Sequence, residues 1–150
     1  MKVAIASDHA GFELKQIISQ MLKNKGYEVI DMGTESSCSV DYPDYAEAVS
    51  KAVSDGSVER GILICGTGIG MSIVANKFKN VRAALCNDLF TAKMSRLHND
   101  ANILCIGGRV VGKDLAIEIV NIWFNTSFEG GRHLRRLEKI NLIERKVNDK

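Results

Sequence analysis

Short apolar runs alternate with stretches of helical periodicity along the whole chain, a pattern that predicts strands and helices in turn. Val3–Ala6, Tyr27–Asp31, Gly61–Cys65, Ala83–Leu85 and Asn102–Ile106 read as strands. Between the first of these, Leu14, Ile17, Ile18, Met21 and Leu22 share one helix face, and Tyr45, Val49, Ala52 and Val53 share another. Further helices are predicted at Ile69–Phe78, Leu89–Leu97, Lys113–Phe124 and from about Arg132 to Arg145, the residue spacing being that of a period near 3.6. Pro43 suits the first turn of the second helix, and Asp88 the N-cap of the fourth.

Strictly alternating strands and helices imply an α/β fold: a doubly wound, Rossmann- or flavodoxin-like five-stranded parallel sheet with helices on both faces. With strand order 2-1-3-4-5, ligands bind beyond the carboxyl ends of strands one and three, where the winding reverses. The two most polar strand exits fall there, Ser7-Asp8-His9-Ala10-Gly11 and Cys65-Gly66-Thr67-Gly68. No repeat or low-complexity linker divides the chain, so residues 1–150 are expected to form one domain. The tail from Leu142 to Lys150 either extends a last helix over a partner subunit or frays in solvent.

Composition narrows the functional classes. A net charge of +2 gives no reason to expect general nucleic-acid binding. No segment approaches the roughly 18 apolar residues of a membrane span. The first apolar run stops at Ser7-Asp8-His9, too early for a secretory signal, and a soluble, cytoplasmic protein is expected. Cys38, Cys65, Cys86 and Cys105 follow no paired spacing, which fits reduced thiols better than disulfides or a zinc site. No metal or other cofactor is expected.

The most informative segment is Gly61-Ile-Leu-Ile-Cys65-Gly66-Thr67-Gly68-Ile69-Gly70-Met71-Ser72. Its glycines free the backbone to turn sharply with N–H groups unshielded, and a helix starting inside the loop would add its positive end to this anion cradle. The spacing is neither a dinucleotide fingerprint nor a P-loop. Cys65 at its mouth is either a reactive thiol or a buried, inert one. A second cluster, Gly130-Gly131-Arg132-His133-Leu134-Arg135-Arg136, suits one compact anion or is a solvated helix start. Arg132 and Arg136, four apart, share a helix face; Arg135 does not.

Several separated motifs in matching order resemble the type B ribose-5-phosphate isomerases, relatives of galactose-6-phosphate isomerase subunits. They are Ala6-Ser-Asp-His-Ala-Gly11, Val40-Asp-Tyr-Pro-Asp44, Cys65-Gly-Thr-Gly-Ile-Gly70, Arg82-Ala-Ala-Leu85, Ser95-Arg-Leu-His-Asn99, Gly107-Gly-Arg109 and Gly130-Gly-Arg-His133, and they cover nearly the whole chain. The resemblance implies cofactor-free interconversion of ribose 5-phosphate and ribulose 5-phosphate in the pentose phosphate pathway, through ring opening and an enediolate. By resemblance Cys65 is the base that moves a proton between adjacent carbons, and the N–H groups from Gly66 through Gly68 and Ile69 to Gly70 stabilise the developing oxyanion. A free thiol with a pKa of about 8.5 is only slightly ionised at neutral pH, so it needs that help. Thr67 is expected on a substrate hydroxyl, Asp8 near the sugar hydroxyls or capping the following helix, and Asn99 on the sugar or the intermediate.

His98 is the implied ring opener, since a group titrating near neutrality suits proton transfer between the anomeric hydroxyl and the ring oxygen. Without the resemblance it would be a half-buried polar residue ending a helix. His9, Arg109, Arg132 and Arg136 match phosphate-binding positions, with His133 as an auxiliary donor. The family pattern further implies a homodimer, or dimer of dimers, with shared active sites. Two other functions compete: an isomerase of allose 6-phosphate or galactose 6-phosphate, and a noncatalytic phosphosugar- or nucleotide-binding module.

Overall fold

The computed structural model describes residues 1–149. The strands are β1 (Lys2–Ser7), β2 (Glu28–Asp31), β3 (Arg60–Cys65), β4 (Ala83–Leu85) and β5 (Ile103–Gly107). The helices are α1 (Phe12–Asn24), α2 (Tyr42–Ser54), α3 (Ile69–Ala75), α4 (Leu89–Leu97), α5 (Lys113–Phe124) and α6 (Arg132–Asn148). Every strand pairing is parallel.

The strand order is β2-β1-β3-β5-β4, not the expected 2-1-3-4-5. The reason lies in the two strands themselves. All five residues of β5 are buried, so it needs cover on both faces and a neighbour on each side. The three residues of β4 are partly or fully exposed and suit an edge. The chain therefore passes over β5's place to form β4 and then doubles back. The reversal between β1 and β3 is unaffected.

Alternate strand residues divide the core into two layers, as the two-residue period of a strand requires. Val3, Ile5, Ile62, Ile64, Leu104 and Ile106 pack under α1, α4 and α5, with the fully buried Trp123 in the same layer. Ala4, Ala6, Leu63, Cys65, Ile103 and Cys105 face α2 and α3. Pro43 lies in the first turn of α2, and the Asp88 carboxylate accepts the Thr91 N–H at 2.7 Å as the cap of α4. α3 ends at Ala75, short of Phe78, where the Asn76 side chain donates to the carbonyls of Ser72 and Ala83 and so ties the helix end to β4.

α6 buries only His133 and Leu137, leaving Leu134, Ile140, Leu142, Ile143 and Val147 in solvent. The tail is thus helical as far as Asn148, carrying a substantial apolar face; the last expected position, Lys150, lies outside the described residues. No helix of the described residues is long and apolar enough to cross a membrane.

Candidate active site

Three loops meet at the carboxyl ends of β1, β3 and β5, and glycines permit the approach. A Cβ at Gly11 would lie 2.6 Å from the Ile64 side chain, and one at Gly107 would lie 2.7 Å from the Thr67 carbonyl oxygen. Gly108 N–H donates to the Cys65 carbonyl at 2.8 Å and Arg109 N–H to the Gly66 carbonyl at 3.0 Å. The turn after β5 is therefore stitched to the loop after β3, and the Arg109 side chain lies against Gly66.

Cys65 is only 5% exposed, yet its sulfur is not sealed in hydrocarbon. Gly68, held at φ +80°, turns its N–H onto Cys65 Sγ at 3.1 Å. Such a donor is the contact a thiolate accepts. Thr67 Oγ1 takes the Ile69 N–H at 3.2 Å, so two of the loop's amides are engaged within the loop. Those of Gly70 and Met71, in the first turn of α3, have no helical acceptor. Burial pushes the thiols of Cys86 and Cys105 up from their ordinary range, Cys105 furthest, and neither reaches the cleft.

Asp8 Oδ1 caps the 3-10 turn His9–Gly11, accepting from Ala10 N–H at 2.9 Å and Gly11 N–H at 3.3 Å. The capping reading is therefore correct, and it leaves the other carboxylate oxygen for a ligand. His9 Nδ1 accepts the Val40 N–H at 3.2 Å; in neutral His9 the proton then sits on Nε2. Asp8, Cys65, Gly66, Thr67, Ile69 and Gly70 line a cleft of about 410 Å³ together with Tyr42 and Ile73. A larger hollow of about 680 Å³ lies beside Lys15 and Asp31, but that lysine is occupied by its ion pair with Asp31 at 2.6 Å. Tyr42 was not foreseen as a site residue. Its position follows from Pro43, which starts α2 there, and from Gly70, where any side chain would overlap the tyrosine ring.

The remaining candidates lie at the other end of the sheet. α4 runs back from the carboxyl edge and finishes at Leu97, with His98 as its C-cap. Arg82, just before β4, donates from Nε to the Asn99 carbonyl at 3.0 Å, and Asn102 N–H donates to the Arg82 carbonyl at 3.0 Å. His98 and Asn99 thus flank the starts of β4 and β5, whereas Cys65 is in register with Gly107 at the end of β5. At about 3.3 Å per residue, the two groups are separated by roughly 13 Å or more along the strands. Arg132 and Arg136 belong with His98, both exposed on α6. The chain therefore holds Asp8, His9, Cys65, Thr67 and Arg109 in one cluster, and His98, Asn99, Arg132 and Arg136 in another.

The second cluster contains an arrangement absent from the sequence pattern. His133, expected as an auxiliary phosphate donor, is 4% exposed and stacks on His98 with ring centroids 4.1 Å apart and planes 12° from parallel. Glu129 Oε2 lies 3.9 Å from Nε2 of each ring. These three donor atoms fall within 4.8 Å of one another, a grouping the sequence did not reveal. The near-parallel rings nevertheless point their in-plane lone pairs past each other instead of at one ion. Burial, then the neighbouring His98 and Arg132, hold His133 below the ordinary histidine range, with Glu129 opposing.

Comparison with known proteins identifies the family of the chain. Residues 3–140 match the family model for Ribose/Galactose Isomerase. Ribose-5-phosphate isomerase B of Escherichia coli is 52% identical over 98% of this chain and 99% of its own length. The solved ribose-5-phosphate isomerase B of Clostridium thermocellum is 55% identical, with a TM-score of 0.96 over 98% of this chain and 99% of that one. The Mycoplasma genitalium enzyme, solved with bound ribulose 5-phosphate, is 45% identical with a TM-score of 0.93, covering 96% of both chains. From its first strand to the middle of its last helix, the chain belongs to the ribose/galactose isomerase family.

Proposed function

We propose that this protein is an aldose–ketose isomerase that interconverts ribose 5-phosphate and ribulose 5-phosphate. The observation that carries the reading is the Gly68 N–H on Cys65 Sγ, at 3.1 Å, in the cleft that Asp8 and Thr67 also line. The Cys65 thiolate takes the proton from C2 of the open aldose, and the electron pair moves onto the carbonyl oxygen to give an enediolate. The same thiol returns a proton to C1, while a hydroxyl proton passes between O1 and O2. Thr67 Oγ1 already accepts the Ile69 N–H, which leaves its own proton to donate to an enediolate oxygen. Gly70, which lines the cleft and whose amide has no helical acceptor, offers a further donor to the same charge. Asp8, with one oxygen engaged as a cap, binds a sugar hydroxyl with the other.

A complete site requires a second copy of the chain. One subunit supplies Cys65, Thr67, Asp8, His9 and Arg109; the other supplies His98 to open the furanose ring, Asn99 to hold the sugar, and Arg132 and Arg136 to hold the phosphate. Two features support this homodimer: the separation of the half-sites within one protomer, and the exposed apolar face of α6 beside the second of them. The phosphate then meets paired guanidinium forks, whose planar donors match its oxygens. Four cysteines without a paired partner agree with a reducing, cytoplasmic setting.

The purified full chain should be assayed on ribose 5-phosphate, ribulose 5-phosphate, allose 6-phosphate and galactose 6-phosphate after dialysis against chelator. Turnover of the pentose phosphates, undiminished by chelator and well above that of the hexose phosphates, is expected. Preference for a hexose phosphate would move the assignment to that substrate, and binding without turnover of any of the four would leave only a binding module.

A further inference from the structure

His98 is 37% exposed and ends a helix, a position from which an imidazole can rotate freely unless something fixes it. Proton transfer between two oxygens of one sugar ring demands a fixed imidazole plane, because the reacting nitrogen must lie within hydrogen-bond reach of both. The residue packed on that plane is His133. It is buried, it belongs to a different helix, and its Nε2 has no hydrogen-bond partner among the described residues. A buried polar nitrogen without a partner is destabilising, so hydrogen bonding does not explain the residue. Its ring face does: the centroid lies 4.1 Å from that of His98, at 12° from parallel.

We propose that His133 is a positioning residue, a flat and uncharged platform that sets the plane of the His98 imidazole for ring opening, with Glu129 as the counter-charge when His98 takes up the proton. The inference rests on the ring-opening role given to His98 above. Three features of the surroundings agree with it. Burial and the cations of α6 favour the neutral form of His133, and two stacked imidazoliums would repel, so a positive charge formed in ring opening is kept off the platform. The Glu129 carboxylate, 56% exposed and 3.9 Å from His98 Nε2, is placed to follow that charge without locking it in a short ion pair. Glu129 is itself held to the end of α4 by its N–H, which donates to the Leu97 carbonyl at 3.0 Å. Helix α6, through His133, and the preceding loop, through Glu129, both converge on the residue that closes α4.

Replacing the ring by another flat ring distinguishes a platform from a proton carrier or a phosphate ligand. His133→Phe keeps the stack and removes the unpartnered nitrogen; His133→Ala removes the stack; His133→Leu fills the volume without a flat face, and serves in place of alanine if the cavity prevents folding. Two readouts are needed. The first, the ring-current shift of the His98 Cε1 proton in the NMR spectrum, does not depend on activity. It should persist in His133→Phe and collapse toward the free-imidazole position in His133→Ala or His133→Leu.

The second readout is kinetic. His133→Ala or His133→Leu should lose about 10- to 100-fold in kcat on cyclic ribose 5-phosphate, the scale of a reacting group displaced by about 1 Å. KM should hold steady, deuterium wash-in from ribulose 5-phosphate should be spared, and His133→Phe should restore most of the loss. An unchanged His98 resonance in His133→Ala overturns the platform even if the protein has no isomerase activity. A His133→Phe variant as damaged as His133→Ala makes the nitrogen essential, and a raised KM makes His133 a phosphate ligand; either result overturns the proposal while leaving the isomerase reading intact. Failure of the parent protein on every sugar phosphate removes that reading, and the resonance alone then decides whether the platform exists.

Discussion

The Gly68 N–H points at Cys65 Sγ from 3.1 Å, and it can do so only because Gly68 sits at φ +80°. A Cβ there would stand 2.9 Å from the Ile106 carbonyl carbon. Gly68→Ala combines that overlap with a left-handed backbone, which by itself disfavours alanine by about 1–2 kcal/mol. Thermal denaturation should show a Tm lowered by at least about 4 °C. Activity should fall further than stability explains, by more than about tenfold even at temperatures where the variant is fully folded, because the amide leaves the sulfur. Steady-state assays well below the variant's Tm check this.

Removal of the ring opener should separate two proton transfers. His98→Asn should impair turnover of ribose 5-phosphate, which exists largely as a ring. It should spare exchange from ribulose 5-phosphate, which cannot form a five-membered ring because its C5 oxygen carries the phosphate. Loss on the cyclic substrate should be about 10²- to 10⁴-fold, the usual contribution of a general acid–base group. Equal losses with both substrates in deuterium wash-in would make His98 part of the enediolate chemistry or of the fold.

If Cys65 and His98 of different copies meet in one site, two inactive variants should complement each other. Cys65→Ala and His98→Ala chains, unfolded together and refolded as a mixture, form mixed dimers in which one of the two sites has both residues intact. Random pairing should then return roughly a quarter of the parent's activity on ribose 5-phosphate, as follows from two-fold symmetry. No recovery, with mixed dimers demonstrated by mass spectrometry, would place the whole site within one chain.

Stability should carry the signature of His133. Its folded-state pKa lies below the ordinary 6.5, so below about that pH the unfolded chain binds more protons than the native one. The contribution is fully present above pH 6.5 and is lost as the pH falls toward the lowered folded value. In His133→Phe this loss disappears. Melting curves between pH 5 and pH 8 should show the parent's Tm falling on acidification more steeply than that of the variant; parallel curves would mean that His133 titrates normally.

Much of the scaffold was legible because its periodicities are local. β4 and the helices α4 and α5 have the bounds that the pattern predicts, β2 and β3 differ by a residue at one end, and β1 and β5 by a residue at both. The Cys65 loop and the capping function of Asp8 were legible for the same reason, since a strand exit followed by glycines, or by an aspartate before a turn, states its own geometry. Strand order was not, because whether β4 or β5 lies next to β3 is decided by which of them is covered on both faces; the contrast between Ile103-Leu-Cys-Ile-Gly107 and Ala83-Ala-Leu85 was the available signal. The His98–His133 stack was least legible. It joins the end of α4 to the start of α6, 35 positions apart, and only the four-residue spacing of Glu129 and His133 hinted at it. Nor does any local pattern reveal that Cys65 and His98 lie at opposite ends of one sheet.

Wash-in of solvent deuterium at the substrate's α-carbon tests most directly whether the Cys65 thiolate moves that proton. The parent protein should incorporate deuterium from both ribose 5-phosphate and ribulose 5-phosphate. Cys65→Ser, which keeps the shape of the side chain and its hydrogen bond to Gly68, should lower incorporation from both by about 10²- to 10⁴-fold while still binding the phosphate. Incorporation by Cys65→Ser at a rate near that of the parent would contradict the account.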